Sequence, residues 1–310
     1  TYPNTPEAKA ALITIKNIYM DKGNTDDFFA YMKTIPSGKI SKNEQDSIVY
    51  MAAENKYMDE KYSVAKDGFE KYLNNFPQGV FYNKANYYLA SCLVALGDTA
   101  SSIKYYEVVA SQPKTSFTEK AILMAASGYK NTDYKKANDL YQKLNTITES
   151  STNKIEAQRG LMTTYYGMKD YNNAIVSAIS FKQQEKATKD MEDEANYIIA
   201  KSYYAMDSND KSKEYFSYLT SSTNGSYKAE ASYSLANIAF KNAEYDKSEK
   251  IIKQMSKNPT DEYFLAKAFI LWSDIFVKKG NTFQAKQTLQ SIIDNYDGKD
   301  IVEEAQSKLN

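Results

Sequence analysis

One short pattern returns eight times along this chain and limits its fold more than any other feature. Its clear copies are Asp133-Tyr134-Lys135-Lys136-Ala137, Asp170-Tyr171-Asn172-Asn173-Ala174, Glu244-Tyr245-Asp246-Lys247-Ser248 and Asn281-Thr282-Phe283-Gln284-Ala285, each between two apolar helical runs. Anchored on the last, usually small, residue, the series reads Phe28, Ala65, Ser102, Ala137, Ala174, Ser212, Ser248 and Ala285. The steps are 37, 37, 35, 37, 38, 36 and 37 residues. A fixed period of roughly 20 to 50 residues marks a solenoid, whose units cannot bury an apolar face alone and must stack on their neighbours.

Each copy splits into two helical halves. In the third, Ala85, Tyr88, Leu89, Cys92, Leu93 and Leu96 recur at spacings of three and four. Gly97-Asp98-Thr99 then interrupts, and Ile103, Tyr106, Val109 and Ala110 resume the pattern. The chain therefore reads as all-α, an α-α superhelix of about eight helical hairpins over residues 1–310 as a single domain. The repeats lie near 7–40, 44–79, 80–116, 117–152, 153–189, 190–226, 227–262 and 263–299, with a capping helix at 300–310. Small residues mark the helix seam in the first halves, at Ala53, Ala90, Ala126, Ala200, Ala236 and Ser273, with Lys16 and Met162 as larger exceptions.

Composition excludes several functions. Histidine is absent, which removes the commonest general base and metal ligand at neutral pH. No cofactor motif, P-loop, CxxC or EF-hand pattern occurs, so neither an enzyme nor a cofactor is expected. Net charge is zero and 38 of the 39 basic residues are Lys. That balance argues against nucleic acid, which calls for a basic surplus and for Arg. The single Cys92 reads as a core residue. No run is apolar enough to span a membrane. The mixed charges of 185–194 read as solvated turns and helix starts, and Asn224-Gly225-Ser226 reads as a turn rather than a glycosylation site.

The repeat resembles the tetratricopeptide (TPR) repeat. The resemblance is carried by Leu89-Ala90 and Leu235-Ala236 in first helices and by Tyr129, Tyr165 and Tyr203 near their ends. In second helices it is carried by Ala65 with Phe69, Ala137 with Tyr141 and Ser212 with Phe216, and then by closing Pro77, Pro113 and Pro259. Trp272 stands at an aliphatic position of the last full repeat. The usual TPR period is about 34 residues. Here the small first-helix residue and the second-helix anchor keep a spacing of 17, as in Ala85 to Ser102, so the extra residues are expected in the second helix or the inter-repeat turn. That variant, with endings such as Phe76-Pro77, is similar to bacterial cell-envelope TPR proteins of the outer-membrane assembly lipoprotein and Tol-Pal coordinator type. The Lys, Asn and Tyr bias is similar to Bacteroidetes proteins. Tyr2-Pro3 occupies the register of Phe76-Pro77, so the N-terminus is expected to be the cut edge of a longer array, with further repeats or a lipid anchor upstream.

The resemblance implies a non-enzymatic scaffold that binds a protein or peptide on a concave face lined by first helices. The expected compartment is the periplasm or the outer membrane, with the cytoplasm as the alternative. Outward positions on those helices give a candidate groove of Tyr50, Glu54, Tyr87, Arg159, Tyr197, Lys201, Tyr233 and Asn237. Tyr and Arg are the residues that most often anchor interfaces. This reading requires Tyr87 and Tyr197 to be exposed; the competing reading makes them packing residues. A convex-face site stays open, as does glycan or peptidoglycan recognition, in which exposed tyrosines would stack on sugar rings.

Overall fold

A computed structural model of the chain describes residues 5–35, 38–185 and 187–309. The Tyr2-Pro3 register lies outside them. Among the described residues there are seventeen α-helices and no strand. They run α1 (Pro6–Asp21), α2 (Thr25–Lys33), α3 (Lys42–Met58), α4 (Tyr62–Asn75), α5 (Tyr82–Ala95), α6 (Thr99–Ser111), α7 (Thr118–Tyr129), α8 (Tyr134–Ile147) and α9 (Ser151–Gly167). They continue α10 (Tyr171–Lys182), α11 (Lys189–Ala205), α12 (Asn209–Leu219), α13 (Gly225–Lys241), α14 (Tyr245–Lys257), α15 (Glu262–Lys278), α16 (Thr282–Asn295) and α17 (Lys299–Leu309). Within each of the chain's two compact units, odd and even helices pair as hairpins, and α17 packs on α15 and α16.

The chain forms two compact units, residues 1–160 and 161–310. In the first, each helix from α3 to α8 packs on the next, and α1 packs on both α2 and α3. In the second, α10 to α17 pack in the same sequential way, and α13 also touches α15. Each unit is thus a stack of hairpins of the TPR solenoid type.

The recurring motif acquires a mechanism here. In four of the eight copies its first residue caps the second helix: the side chains of Asp98, Asp133, Asp170 and Asn281 accept from the backbone N–H three residues on. This satisfies one of the donors that a helix start leaves unpaired. Just before it, the first helix ends on a residue in the left-handed region. These residues are Gly23, Glu60, Gly97, Lys169, Asp207, Ala243 and Gly280, with φ between 55° and 85°. Around Gly97, its own N–H donates to the Val94 carbonyl at 3.0 Å and the Asp98 N–H to that of Leu93 at 2.9 Å, the Schellman closure. The fourth hairpin differs. There the Thr132 and Asp133 N–H groups both reach back to the Tyr129 carbonyl, no left-handed residue is used, and the step shortens to 35 residues.

The motif's last residue lies in the seam. Phe28, Ala65, Ser102, Ala137, Ala174, Ser212, Ser248 and Ala285 are all buried, and so are Ala53, Ala90, Ala126, Ala200, Ala236 and Ser273 on the facing helices. Met162 is buried as well, whereas Lys16 is half-buried. The approach is close: Ser248 Oγ donates to the Ala236 carbonyl at 2.8 Å, and a Cβ added to Gly68 would stand 2.9 Å from that of Ala53.

The extra residues of the long period are placed differently from the expectation. Helices α9, α11, α13 and α15 have 17 residues each, against 14 in α5 and 12 in α7. In the later repeats the added length therefore extends the start of the first helix rather than the second helix. Before α5 and α7 it stays in the connections 76–81 and 112–117. Carboxylates of α3, α7 and α11 tie down connections between repeats, before α5, α9 and α13 respectively. Asp46 accepts from the Tyr72 hydroxyl at 2.6 Å and the Val80 N–H at 2.9 Å. Glu119 accepts from Thr148 at 2.7 Å and Asn153 at 2.8 Å, and Asp193 from Ser222.

Two outcomes follow from the seam and the turns. Ala236→Leu should cost about 1 to 3 kcal/mol by overpacking, and an unchanged melting temperature would show the seam to be misplaced. Ala243 is exposed and left-handed, while a Cβ on Gly280 would meet no atom within 4 Å. Chemical denaturation should therefore show Ala243→Gly stabilising, and Gly280→Ala destabilising, each by about 1 kcal/mol.

Candidate functional site

The first-helix residues singled out in the sequence are distributed over both units. In the first unit, Tyr50 is 1% exposed and Tyr87 is 7% exposed. Both were expected to face outward, and both are packing residues. Tyr50 stacks on Phe81 with ring centroids 4.3 Å apart and lies edge-on to Tyr72, and its hydroxyl donates to Glu54 at 2.7 Å. Burial and that carboxylate push its hydroxyl far above the ordinary tyrosine range. Tyr87 packs on Phe117 at 4.5 Å and lies edge-on to Tyr88 and Tyr106. Glu54 and Arg159 are half-buried, and Arg159 pairs with Glu156 one turn earlier.

In the second unit, Tyr197 is half-buried and stacks on Tyr227 at 4.3 Å. Its hydroxyl donates to Glu230 and accepts from the Lys201 ammonium at 2.9 Å, and Lys201 also pairs with Glu230 at 2.9 Å. Burial works against the Lys201 charge, but the Tyr197 hydroxyl and the Glu230 carboxylate outweigh it and hold the ammonium above its usual range. Tyr233 packs on Phe264 at 6.1 Å with Lys267 over its ring, and burial pushes its hydroxyl up to about 12. Asn237 donates to the Tyr204 hydroxyl at 2.8 Å. The candidate residues therefore form local bonded clusters that join neighbouring first helices.

A single rule accounts for this. The outward residue of one first helix lies under the residue that starts the next first helix, 30 or 31 positions later: Tyr50 under Phe81, Tyr87 under Phe117, Tyr197 under Tyr227 and Tyr233 under Phe264. Ile270 packs in one cluster with Ile301 in the same way. The sequence carries this signal, but helical periodicity within one repeat cannot reveal it.

The rule does not extend to every repeat: 31 positions after Leu123 and Arg159 stand Lys154 and Asp190, and the first repeat breaks it as well. The residue 31 positions after Ile13 is Glu44, whose carboxylate turns back to accept from the Ser41 N–H at 2.7 Å and the Ser41 hydroxyl at 2.8 Å. That capping box consumes the side chain. Its neighbour Ser47 is too short to cover an isoleucine. Ile13 is left 55% exposed and Met51 46% exposed, in a groove of about 470 Å³ between α1 and α3 that Leu12 and Ile48 also line. Lys16 and Lys39 flank it without an ion pair to any described carboxylate.

Elsewhere the chemistry is structural. Cys92 is buried, and burial pushes its thiol up to about 12. Asn224 caps α13 by accepting from the Tyr227 N–H at 3.1 Å. Among the described residues, no three His, Cys, Asp or Glu side chains gather as a metal would require, and no helix is long and apolar enough to cross a membrane.

Comparison with known proteins agrees with the geometry. Residues 84–115 and 267–298 match a family profile described as tetratricopeptide repeat. A search of curated proteins finds no match in sequence. Among solved structures, PilF of Pseudomonas aeruginosa is 15% identical, with 73% of this chain and 97% of that one covered at a TM-score of 0.50. A tetratricopeptide repeat protein of Parabacteroides merdae is 14% identical, with 84% and 96% covered at a TM-score of 0.46. Repeat register and hairpin stacking identify an all-α helical solenoid, and its segments 84–115 and 267–298 match the tetratricopeptide repeat profile.

Proposed function

We propose that the protein is a non-catalytic scaffold of the cell envelope that binds a protein or peptide segment, with the α1–α3 groove of the first unit as its contact site. One observation carries this reading. Ile13 and Met51 are exposed side by side in a concave site, while the equivalent outward tyrosines are covered by the next helix. Apolar side chains in a groove between helices are what an amphipathic segment needs for docking, and methionine adapts to varied partners. Placement at the periplasm or outer membrane, rather than in the cytoplasm, is supported by the long period and the Phe76-Pro77 ending, which resemble envelope TPR proteins.

Glycan recognition is less well supported. It called for open tyrosine faces, yet Tyr50 and Tyr87 are buried and Tyr197 has one face against Tyr227.

Affinity capture from envelope extract, read by mass spectrometry, tests the proposal. A partner held by the native chain should be lost at least tenfold with Ile13→Asp plus Met51→Asp, equivalent to about 1.4 kcal/mol or more. Both residues are exposed, so the variant should melt like the native chain. A partner retained undiminished by the folded variant would remove the groove from the account, and a positive glycan array with no protein partner would favour the alternative.

A further inference from the structure

One cleft between successive hairpins of the second unit is bridged by polar side chains. In the cleft of about 440 Å³ among α10, α11 and α12, Lys182 donates to Asn196 at 3.0 Å. The Tyr218 hydroxyl donates to Glu192 at 2.8 Å and accepts from Lys189. One repeat later, the register positions of Lys182, Asn196, Tyr218, Glu192 and Lys189 hold Thr220, Ser232, Gln254, Lys228 and Gly225. None of their side chains bridges the gap; the bond across it at these positions runs from the Thr260 hydroxyl to the Gly225 carbonyl at 2.9 Å.

The cleft there, among α12, α13, α14 and α15, measures about 530 Å³. Leu235, Ile251, Met255 and Leu265 give it an apolar lining. At its edges, the Lys228 ammonium and the Gln254 and Asn258 amides make no hydrogen bond or ion pair with any described residue. The one carboxylate in the lining, Asp261, is already engaged by the Ser226 hydroxyl at 3.0 Å and the Phe264 N–H at 3.2 Å. The cleft therefore presents an ammonium without an ion pair, a carboxylate held by two neutral donors, two free side-chain amides and an apolar surface.

An occupant that satisfies all of these brings a carboxylate, backbone-like amides and an aliphatic group. We propose that this cleft is a peptide-binding site in its own right, taking extended protein segments in which an acidic residue stands beside a large aliphatic one. The acidic side chain pairs with Lys228, the peptide backbone bonds Gln254 and Asn258, and the aliphatic side chain fills the space over Leu235 and Met255. Sugars fit poorly, since no aromatic ring lines the cleft for stacking, and a nucleic acid would meet only one cation. The volume lies in the range of ordinary ligand pockets.

Panning a phage library of random heptapeptides on the whole chain tests this site. Enriched peptides should place Asp or Glu next to Leu, Ile or Met. A synthetic peptide of the enriched sequence should bind Lys228→Glu at least tenfold more weakly, and exchanging its acid for Lys should restore binding to that variant. Lys228 stands at the cleft's edge, so circular dichroism should show an unchanged fold. Peptides lost on Ile13→Asp plus Met51→Asp but indifferent to Lys228→Glu would overturn the cleft while leaving the α1–α3 groove intact. No enrichment at all would overturn it as well.

Discussion

Six of the eight hairpins depend on the close approach of two helices at one pair of small residues. Where Ala236 faces Ser248, the helices come near enough for a side-chain hydroxyl to bond the opposite backbone carbonyl. Where Ala53 faces Gly68, a single added methyl group would collide. Close-packed interiors tolerate such additions poorly, so this pair fixes the register in which larger side chains meet. The left-handed turn and the Asp or Asn cap serve the same end, since together they reverse the chain within a few residues and begin the second helix opposite the first. The recurring five-residue motif thus follows the turn, opens the second helix, and sets a buried residue in the seam.

A second constraint joins one hairpin to the next. The outward tyrosines of α3, α5, α11 and α13 are each roofed by an aromatic residue at the start of the following first helix, as Tyr50 is by Phe81 and Tyr197 by Tyr227. Long repeats supply the roof: an extended first helix in α13 and α15, or a six-residue connection carrying Phe81 or Phe117 in the earlier repeats. Carboxylates such as Asp46 then hold the connection against the tyrosine at the base of the preceding helix.

Much of this was legible in the chain. The period, the hairpin division, the buried anchors and the core position of Cys92 all follow from residues that repeat within helical reach of one another. The fate of the tyrosines does not, because what decides it is a residue in the next repeat. Tyr87 reads as outward within its own helix and becomes core only when Phe117 closes over it. The same limit hid the α1–α3 groove, which opens because Glu44 turns toward Ser41 and Ser47 is short. Where the extra residues of each repeat go was similarly undetermined, since a lengthened helix and a lengthened turn have the same spacing.

A double-mutant cycle on Tyr50 and Phe81, each replaced by Leu and followed by chemical denaturation, tests most directly the claim that first-helix tyrosines serve packing between repeats. Coupling of about 0.5 to 1.5 kcal/mol is expected for a stacked aromatic pair. Strictly additive losses would contradict the account and return the tyrosines to the surface.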